Sequence, residues 1–337
     1  MNSDVESFAR RFSNEISITK RFGNRGAFVK AELETTVNQQ ESDDFLDSAT
    51  EVYGTNPETI DRNQFTEGEN NSYGVSTALS YRIPLITKKF FLNFKYKYAR
   101  DKDNNRESTF DYNNSTQDFT DFNTDLSTDF QYTDYRSIPG FGLSYRGEKF
   151  STSFDIGYNI RTLKNEDLLR SQFNVERDFE NIEANSYISY TFSPKASIYV
   201  NYWLENQPPA LRQLQAFEDV SNPLQTIIGN PNLEPSNNHS FYAGYNGFDW
   251  QKRTGFYVGV NASISDNQVV SKTFVDPETL KRTTTYVNVD GNYNIGSWVN
   301  YNKDFKVDTL RTIKLKVRAS YNTSERINFN NDVKYAS

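Results

Sequence analysis

The side chains best suited to holding a ligand occur along one strand-like segment and the polar stretch that follows it. Tyr199 and Trp203 share one register of an alternating segment, and the flat, amphipathic rings of tyrosine and tryptophan can stack on bound molecules. Glu205, Arg212 and Asp219 follow in the polar stretch, where their charges could supply strong hydrogen bonds. We predict a ligand-binding site that contains these five residues. The structural alternative is that Trp203 anchors the strand at an interface while Arg212 and Asp219 pair to order the stretch.

Composition excludes most redox, metal and thiol chemistry. The 337 residues include no cysteine and one histidine, His239. Disulfides, thiolate zinc sites, iron–sulfur clusters, a cysteine nucleophile and any two-histidine metal site are therefore excluded. The 44 acidic residues outnumber the 37 basic residues, and the resulting formal net charge of −7 argues against a basic nucleic-acid-binding surface.

No catalytic or metal-binding motif in the sequence completes its pattern. Residues 101–112 begin like a calcium loop, but Arg106 stands where that loop needs glycine and Tyr112 stands where it needs glutamate. No nucleophile elbow, phosphate-binding loop or dinucleotide-binding motif occurs in a suitable context. We therefore expect a protein that is not an enzyme, carries no cofactor or metal, and has no nucleic-acid partner.

The composition is polar and yet rich in aromatic residues. Hydrophobic residues make up only 36% of the chain, whereas aromatic residues make up 15%, with 26 phenylalanines and 22 tyrosines. No uninterrupted apolar stretch approaches the roughly 18 residues that indicate a transmembrane helix. The first residues also lack the basic and apolar regions of a signal peptide. This combination is typical of a transmembrane β-barrel, in which half of each strand can face water, and also of a large soluble β-protein.

Alternation of side chains with a period of two gives the clearest structural signal. In six segments, one register of alternate residues carries no charge while the other register holds lysine, arginine and aspartate; the segments are 73–83, 90–98, 150–160, 196–202, 256–264 and 313–321. The uncharged register contains 31 positions, where a chain that is 24% charged would place about seven charges by chance. One dry face and one wet face indicate antiparallel β-strands.

The connections between these strands are of two lengths. Short turns are predicted near residues 23–26, 84–87, 146–148, 193–195, 248–251 and 306–308. Long polar stretches, predicted as loops, lie between them at 40–71, 101–134, 163–180, 206–238 and 266–281. Short periplasmic turns that alternate with long extracellular loops are typical of outer-membrane barrels, and six short turns predict about twelve strands. Within the second stretch, the near-helical spacing of residues 118–130 predicts a short amphipathic helix.

One ordered motif lies in the stretch between residues 202 and 235. It begins YWLENQPPALRQL at 202–214 and continues as DVSNPL at 219–224 and GNPNLEP at 229–235. This combination resembles the TonB-dependent receptors, a family of outer-membrane β-barrels that carry it in an extracellular loop. Ser236 replaces the acidic residue that ends the family's pattern. The later YVNVDG at 286–291 also resembles the strand that follows this loop in the family.

The resemblance implies a particular architecture and partners. The family's barrels have about 22 strands and a plug domain, and they take up a nutrient ligand with energy from the TonB complex of the inner membrane. Because about twelve strands are predicted, we expect residues 1–337 to form a partial outer-membrane β-barrel domain from the middle of a receptor, without the plug domain. The implied surroundings are outer-membrane lipids, and the implied ligand lies in the lumen or at the outer loops.

Two other interpretations account for parts of the same pattern. The first is a self-contained twelve-stranded barrel that acts as an outer-membrane pore or structural protein. The second is a soluble β-sandwich or solenoid adhesin, because a half-buried soluble strand shows the same alternation. Membrane partitioning separates the second interpretation from the others. The sequence does not distinguish a siderophore, glycan, peptide or vitamin as the nutrient.

Overall fold

The chain consists almost entirely of β-strands in the computed structural model, which describes residues 2–52, 58–331 and 333–337. In chain order the strands are β1 (Asn2–Phe22), β2 (Ala27–Val52), β3 (Glu58–Ile86), β4 (Phe90–Asn113), β5 (Asp118–Phe122), β6 (Thr128–Arg146), β7 (Phe150–Asp167), β8 (Val175–Ser193), β9 (Ala196–Gln207), β10 (Glu218–Asn222), β11 (Gln225–Ile228), β12 (Ser236–Asp249), β13 (Thr254–Asp266), β14 (Gln268–Val275), β15 (Arg282–Val289), β16 (Asn292–Lys306), β17 (Thr312–Glu325), β18 (Ile327–Asn330) and β19 (Val333–Ala336). Helical structure in these ranges is limited to α1 (Leu211–Leu214) and a 3₁₀ turn at Ser171–Phe173. None of the described helices is long and apolar enough to cross a membrane.

Twelve strands follow one another in a continuous antiparallel main sheet, which confirms the predicted number. The order is β1-β2-β3-β4-β6-β7-β8-β9-β12-β13-β16-β17, and β5 is a short additional strand paired with β4. Consecutive long strands pair in register over most of their length, as β2 and β3 do. β1 and β17 form the two edges, so the sheet is an open barrel wall.

The two faces of the main sheet differ as the alternation predicts. The uncharged register forms one face, which we call the outer face. On β13, its side chains Phe256, Val260 and Ile264 are 42%, 43% and 39% exposed. The polar register forms the opposite, inner face. Large apolar side chains exposed in a row along each strand are typical of a barrel surface that contacts lipid.

Tight turns close one end of the main sheet at the six predicted places. They occupy residues 23–26, 87–89, 147–149, 194–195, 250–253 and 307–311. In the first turn, Gly23 and Gly26 have φ angles of +59° and +101°, a backbone conformation that glycine adopts without strain. In the fifth turn, the Asp249 side chain accepts a hydrogen bond from the Lys252 N–H at 2.9 Å. The turn residues therefore stabilise the hairpins locally.

The long polar connections lie at the other end of the main sheet, as predicted, but much of their length is paired strand, which the sequence did not predict. β2 and β3 remain paired as far as Val52 and Glu58, across most of the 40–71 stretch. Residues 53–57, which connect them, lie outside the described residues. The extra strand length has a physical cause: backbone hydrogen bonds hold an antiparallel ladder, so polar residues can extend it well beyond the apolar part.

Residues 118–130 form a hairpin arm and not the predicted helix. Residues 118–122 belong to β5, which pairs with β4. The reversal is stabilised by Asn113, whose side-chain oxygen accepts hydrogen bonds from the N–H of Ser115 at 2.8 Å and of Thr116 at 3.3 Å. Such a side-chain turn offers the backbone an alternative to helix, and here it decides the local structure.

A second, smaller sheet lies at the end of the main sheet opposite the tight turns. Its order is β10-β11-β15-β14-β18-β19. These strands come from the connection between β9 and β12, the connection between β13 and β16, and the segment after β17. The parallel pairs β11 with β15 and β14 with β18 join the three segments into one layer.

The apolar core lies between the inner face and the connection from β9 to β12. Tyr132, Leu163 and Phe179 project from β6, β7 and β8, and they pack against Leu214 and Leu233 of the connection. Leu163, Leu214 and Leu233 are each only 1% exposed. The connection is therefore folded onto the inner face and is not a free extracellular loop.

Candidate functional site

The segment that carries the sequence motif is fixed in place by its own leucines and by a side-chain clamp. Arg177 on β8 donates a hydrogen bond to the Pro231 carbonyl at 2.8 Å and forms an ion pair with Glu234 at 2.9 Å. The Asn230 side chain donates to the Tyr286 carbonyl at 3.0 Å. These contacts hold the asparagine- and proline-rich part of the motif on the inner face.

The second motif segment, at residues 286–291, completes this clamp. Asn288 accepts a hydrogen bond from the Glu234 N–H at 2.9 Å, and it donates to the Glu234 carbonyl at 2.9 Å and the Asn267 carbonyl at 2.6 Å. The two segments that the sequence singled out, 229–235 and 286–291, are thus bonded to each other.

Arg212 and Asp219 face a cavity between the connection and the inner face. Their side chains form an ion pair, with Arg212 Nη2 at 2.7 Å from Asp219 Oδ2. The cavity has a volume of about 430 Å³, and Asp103, Glu107 and Phe130 of β4 and β6 also line it. Three carboxylates, one guanidinium and an aromatic ring converge here. The arrangement can orient a polar ligand by hydrogen bonds and can also stabilise the connection itself.

Tyr199 lies elsewhere, in a row of aromatic rings on the inner face. Its hydroxyl is 3.1 Å from the hydroxyl of Tyr242, and the two ring centroids are 5.6 Å apart. The ring of Trp298 continues the row, at 5.7 Å from the Tyr242 ring and inclined by 31° to it. The rings project from β9, β12 and β16. β13 lies between β12 and β16 and has a glycine, Gly259, at this level, so the rings of Tyr242 and Trp298 can approach each other across it.

Two glycines allow these rings to lie flat against the wall. Tyr199 pairs directly with Gly244, and a Cβ atom on Gly244 would come within 2.6 Å of the Tyr199 ring. Trp298 pairs directly with Gly259, and a Cβ there would overlap the indole ring. Each ring therefore rests on bare backbone with one face toward the wall. The other face is directed into the lumen.

Trp203 and Glu205 occupy a third location, higher on the inner face of β9. They line a depression of about 260 Å³ that also contains Lys95, Asp155 and Glu183. Lys95 Nζ and Asp155 Oδ1 form an ion pair at 2.8 Å. The structure thus places all five predicted residues on or over the inner face. It distributes them over three locations and does not bring them into one pocket.

The inner face is divided into a charged sector and a neutral sector. In the charged sector, on β3 to β7, the inner positions include Arg82, Lys95, Lys97, Asp101, Asp134, Arg136, Asp155 and Arg161. In the neutral sector, the middle inner positions of β8, β9, β12, β13 and β16 are Asn185, Tyr187, Ser189, Thr191, Ser197, Tyr199, Asn201, Trp203, Asn238, Ser240, Tyr242, Gly244, Asn246, Gly255, Tyr257, Gly259, Asn261, Ser263, Ser265, Asn292, Asn294, Gly296, Trp298, Asn300 and Asn302. Charged residues continue the inner register beyond this patch, at Arg177, Glu183 and Glu205 toward the mouth and at Asp304 and Lys306 toward the tight turns. These neutral positions hold amide, hydroxyl, glycine and aromatic residues only, without a charge or an aliphatic side chain.

A buried polar cluster lies beneath the connection in the charged sector. Asp134 is 3.3 Å from Arg161 and 3.4 Å from Arg136, and Arg161 is only 4% exposed. The buried Asn159 donates a hydrogen bond to Glu183 at 2.7 Å. Within the described part of the chain, no group of three or more histidine, cysteine, aspartate or glutamate residues is arranged to hold a metal ion.

Sequence reasoning missed Tyr242 and Trp298. Both lie in the inner register of strands that the alternation had identified or bracketed, so their orientation was available from the sequence. Their proximity to Tyr199 was not, because it depends on the pairing register between β9, β12, β13 and β16. The signal that could have found them is the pair Gly244 and Gly259, since glycine within a strand often marks a close approach of another group.

Residues 20–336 match the sequence model described as "Outer membrane protein beta-barrel family". The chain belongs to this family. The match covers every strand of the main sheet except most of β1, and it places this outer-membrane β-barrel protein in the outer membrane. It also overturns the interpretation as a soluble adhesin.

Solved structures with a similar fold are receptors and transporters. The Serratia marcescens hemophore receptor HasR is 13% identical, with a TM-score of 0.54, over 94% of this chain and 50% of that chain. The copper transporter OprC is 10% identical, with a TM-score of 0.54, over 94% of this chain and 53% of that chain. The RagAB peptide importer is 11% identical, with a TM-score of 0.54, over 95% of this chain and 37% of that chain.

These similarities confirm, at the level of the fold, the predicted resemblance to TonB-dependent receptor barrels. This outer-membrane β-barrel protein spans about half the length of the first structures that it matches. No curated protein sequence matches the chain.

Proposed function

We propose that this chain is a barrel segment of an outer-membrane receptor that binds a nutrient and imports it through its lumen. Energy would come from the TonB complex through a plug domain outside residues 1–337. The observation that supports this most is the segment carrying the receptor-like motif, which is folded onto the inner face with Leu214 and Leu233 each 1% exposed. A segment fixed over the wall can present its side chains to a ligand that enters the lumen.

The open edges of the main sheet support a segment of a larger barrel over a self-contained twelve-stranded pore. β1 pairs with β2 alone and β17 with β16 alone in the described main sheet. Each edge strand presents a row of backbone N–H and C=O groups, and hydrocarbon cannot form hydrogen bonds with them. Further strands that pair with β1 and β17 would satisfy these groups.

We propose that the five predicted residues contact the ligand one group after another as it moves from the mouth into the lumen. Arg212 and Asp219 would meet it at the mouth cavity, Trp203 and Glu205 on the upper wall, and Tyr199 in the aromatic row. Support comes from their location on the lumen side and from the mixture of aromatic and charged groups, which is typical of ligand-binding sites. No catalytic role is proposed for any of them.

Nutrient depletion tests the proposed function. Cells that express the receptor and a deletion strain would grow in one defined medium of mixed sugars, peptides, ferric siderophores and cobalamin, and mass spectrometry would follow each component. We expect at least one component to disappear faster with the receptor present, and a protonophore to abolish the difference. Equal depletion in both strains would contradict the proposal, and depletion that resists the protonophore would favour a passive pore.

Binding by variants tests the proposed contacts. Trp203→Ala and Arg212→Ala in the complete receptor should weaken binding of the depleted component while surface expression stays normal. Leu224→Ala serves as the control, because this side chain lies in the same connection and is 43% exposed. If both variants bind as the wild type does, or if both fail to assemble, the structural alternative for these residues is correct.

A further inference from the structure

The neutral sector of the inner face has a chemistry of its own. A barrel wall that needs only to face water has no reason to exclude charge, and the charged sector on β3 to β7 of the same wall does not exclude it. Between Glu183 and Glu205 at one end and Asp304 and Lys306 at the other, the middle of β8, β9, β12, β13 and β16 offers only amide, hydroxyl and glycine residues together with flat aromatic rings. This combination is that of a binding surface for a particular class of molecule.

The aromatic row determines the geometry of this surface. Tyr199, Tyr242 and Trp298 follow one another at centroid distances of 5.6 Å and 5.7 Å, with inclinations of 33° and 31°. Because Gly244 and Gly259 lie beneath two of the rings, the row is a shallow platform and does not project into the lumen. All three side chains are half-buried, so one ring face of each remains accessible.

Asparagine side chains surround this platform. Asn201 and Asn261 pair directly with Tyr242 across β9, β12 and β13, and Asn300 lies two residues from Trp298 on β16. An amide group both donates and accepts hydrogen bonds, as a hydroxyl group does. A row of rings with amides on both sides therefore complements a molecule that has apolar faces and hydroxyl-bearing edges.

Alternative ligand classes fit this surface poorly. A charged ligand would lose hydration without a counter-charge in the neutral sector. A purely apolar ligand would leave the asparagines without hydrogen-bond partners, which costs free energy for each buried group. An uncharged, hydroxyl-rich chain with flat faces satisfies the rings and the amides together.

We propose that the neutral sector binds a neutral oligosaccharide, stacked on Tyr199, Tyr242 and Trp298 and hydrogen-bonded to the asparagines beside them. This proposal rests on the proposed function, because it names the class of nutrient that the receptor would import. The sugar rings would not contact the adjoining charged sector on β3 to β7.

Isothermal titration calorimetry on the complete receptor in detergent tests the proposal. The probes are neutral α- and β-linked glucan, xylan, mannan and chitin oligosaccharides, with galacturonate oligomers and ferric citrate as charged counterparts. We expect at least one neutral oligosaccharide to bind and the charged probes not to bind. Tyr242→Ala and Trp298→Ala should each weaken that binding about tenfold, which corresponds to about 1.4 kcal/mol for a stacked ring.

Matched variants separate stacking from general damage. Phe241→Ala and Val299→Ala alter the neighbouring residues on the same strands, whose side chains are on the outer face at 41% and 39% exposure, and they should bind as the wild type does. Gly259→Ala removes no ring but places a Cβ against the Trp298 indole, and it should weaken binding as Trp298→Ala does.

Three outcomes would overturn the proposal. They are the absence of binding by every neutral oligosaccharide, unchanged binding by Tyr242→Ala and Trp298→Ala, and a loss of thermal stability in these variants without a loss of binding. The last outcome would mean that another part of the receptor covers the wall. If energy-dependent depletion of a peptide or siderophore persists in any of these cases, the receptor function stands and only the sugar class is wrong.

Discussion

Shortening Leu233 to alanine should release the connection between β9 and β12 from the inner face. The Leu233 side chain is 1% exposed and packs in the cluster with Tyr132, Leu163, Phe179 and Leu214. Replacing such a leucine by alanine costs about 2–5 kcal/mol, because the transfer free energy is lost and a cavity remains. Backbone ladders hold the main sheet independently, so we expect the cost to appear in local opening of the connection.

Hydrogen–deuterium exchange on the complete receptor measures this opening directly. A loss of about 2 kcal/mol corresponds to roughly 30-fold faster exchange, so peptides from residues 206–238 should exchange at least that much faster in Leu233→Ala. Peptides from residues 239–249 of β12 and from β13 should not change. Leu224→Ala is the matched control, because its side chain is 43% exposed. Equal exchange in the two variants would refute the claim that Leu233 fastens the connection.

Three further perturbations have defined outcomes. Arg212→Ala should change the exchange of residues 206–238 by less than a factor of about five, because an exposed ion pair contributes about 1 kcal/mol at most; a larger change would assign Arg212 to stabilising the connection. The Lys252 N–H and the Lys195 ammonium hold the pKa of Asp249 below its usual range. The ionised Asp249 carboxylate therefore stabilises the native state at pH values above the ordinary carboxyl pKa. This contribution is lost as the pH falls through the lowered pKa. Urea titrations at about pH 5 and pH 2 should therefore show a smaller acid-induced loss of stability for Asp249→Asn than for the wild type, and identical losses would contradict the assignment. Residues 1–337 alone should aggregate or need detergent and give no defined current in planar bilayers, because both sheet edges are unpaired; a reproducible single-channel current would instead favour the twelve-stranded pore.

The strands and the tight turns were predictable from local sequence. The alternation identifies the uncharged register of each strand, and on β13 this register forms the outer face, whose apolar side chains are exposed in the structure. The extent of the strands beyond the membrane was not predictable, because the paired polar residues of 40–71 carry no apolar pattern. The hairpin at Asn113 was missed because a single side-chain turn overrides the apolar spacing that follows it.

The candidate site was predictable in its parts and not in its arrangement. The motif drew attention to Arg212 and Asp219, and the structure pairs them at 2.7 Å over a cavity. The burial of Leu214 and Leu233 on the inner face depends on contacts with β6, β7 and β8, which are distant in sequence. The aromatic row likewise depends on the register between strands, which no single segment encodes.

The central claim is that the uncharged register of this barrel segment faces lipid and the polar register faces the lumen. Val260 and Asn261 are adjacent on β13 and point to opposite faces, so Val260→Arg and Asn261→Arg test the claim with one added charge each. In a refolding titration of the complete receptor into lipid vesicles, Val260→Arg should lower the free energy of folding by about 2–4 kcal/mol if it lies near the midplane, while Asn261→Arg should have a small effect. Equal tolerance at the two positions would contradict the assignment of the faces and with it the barrel.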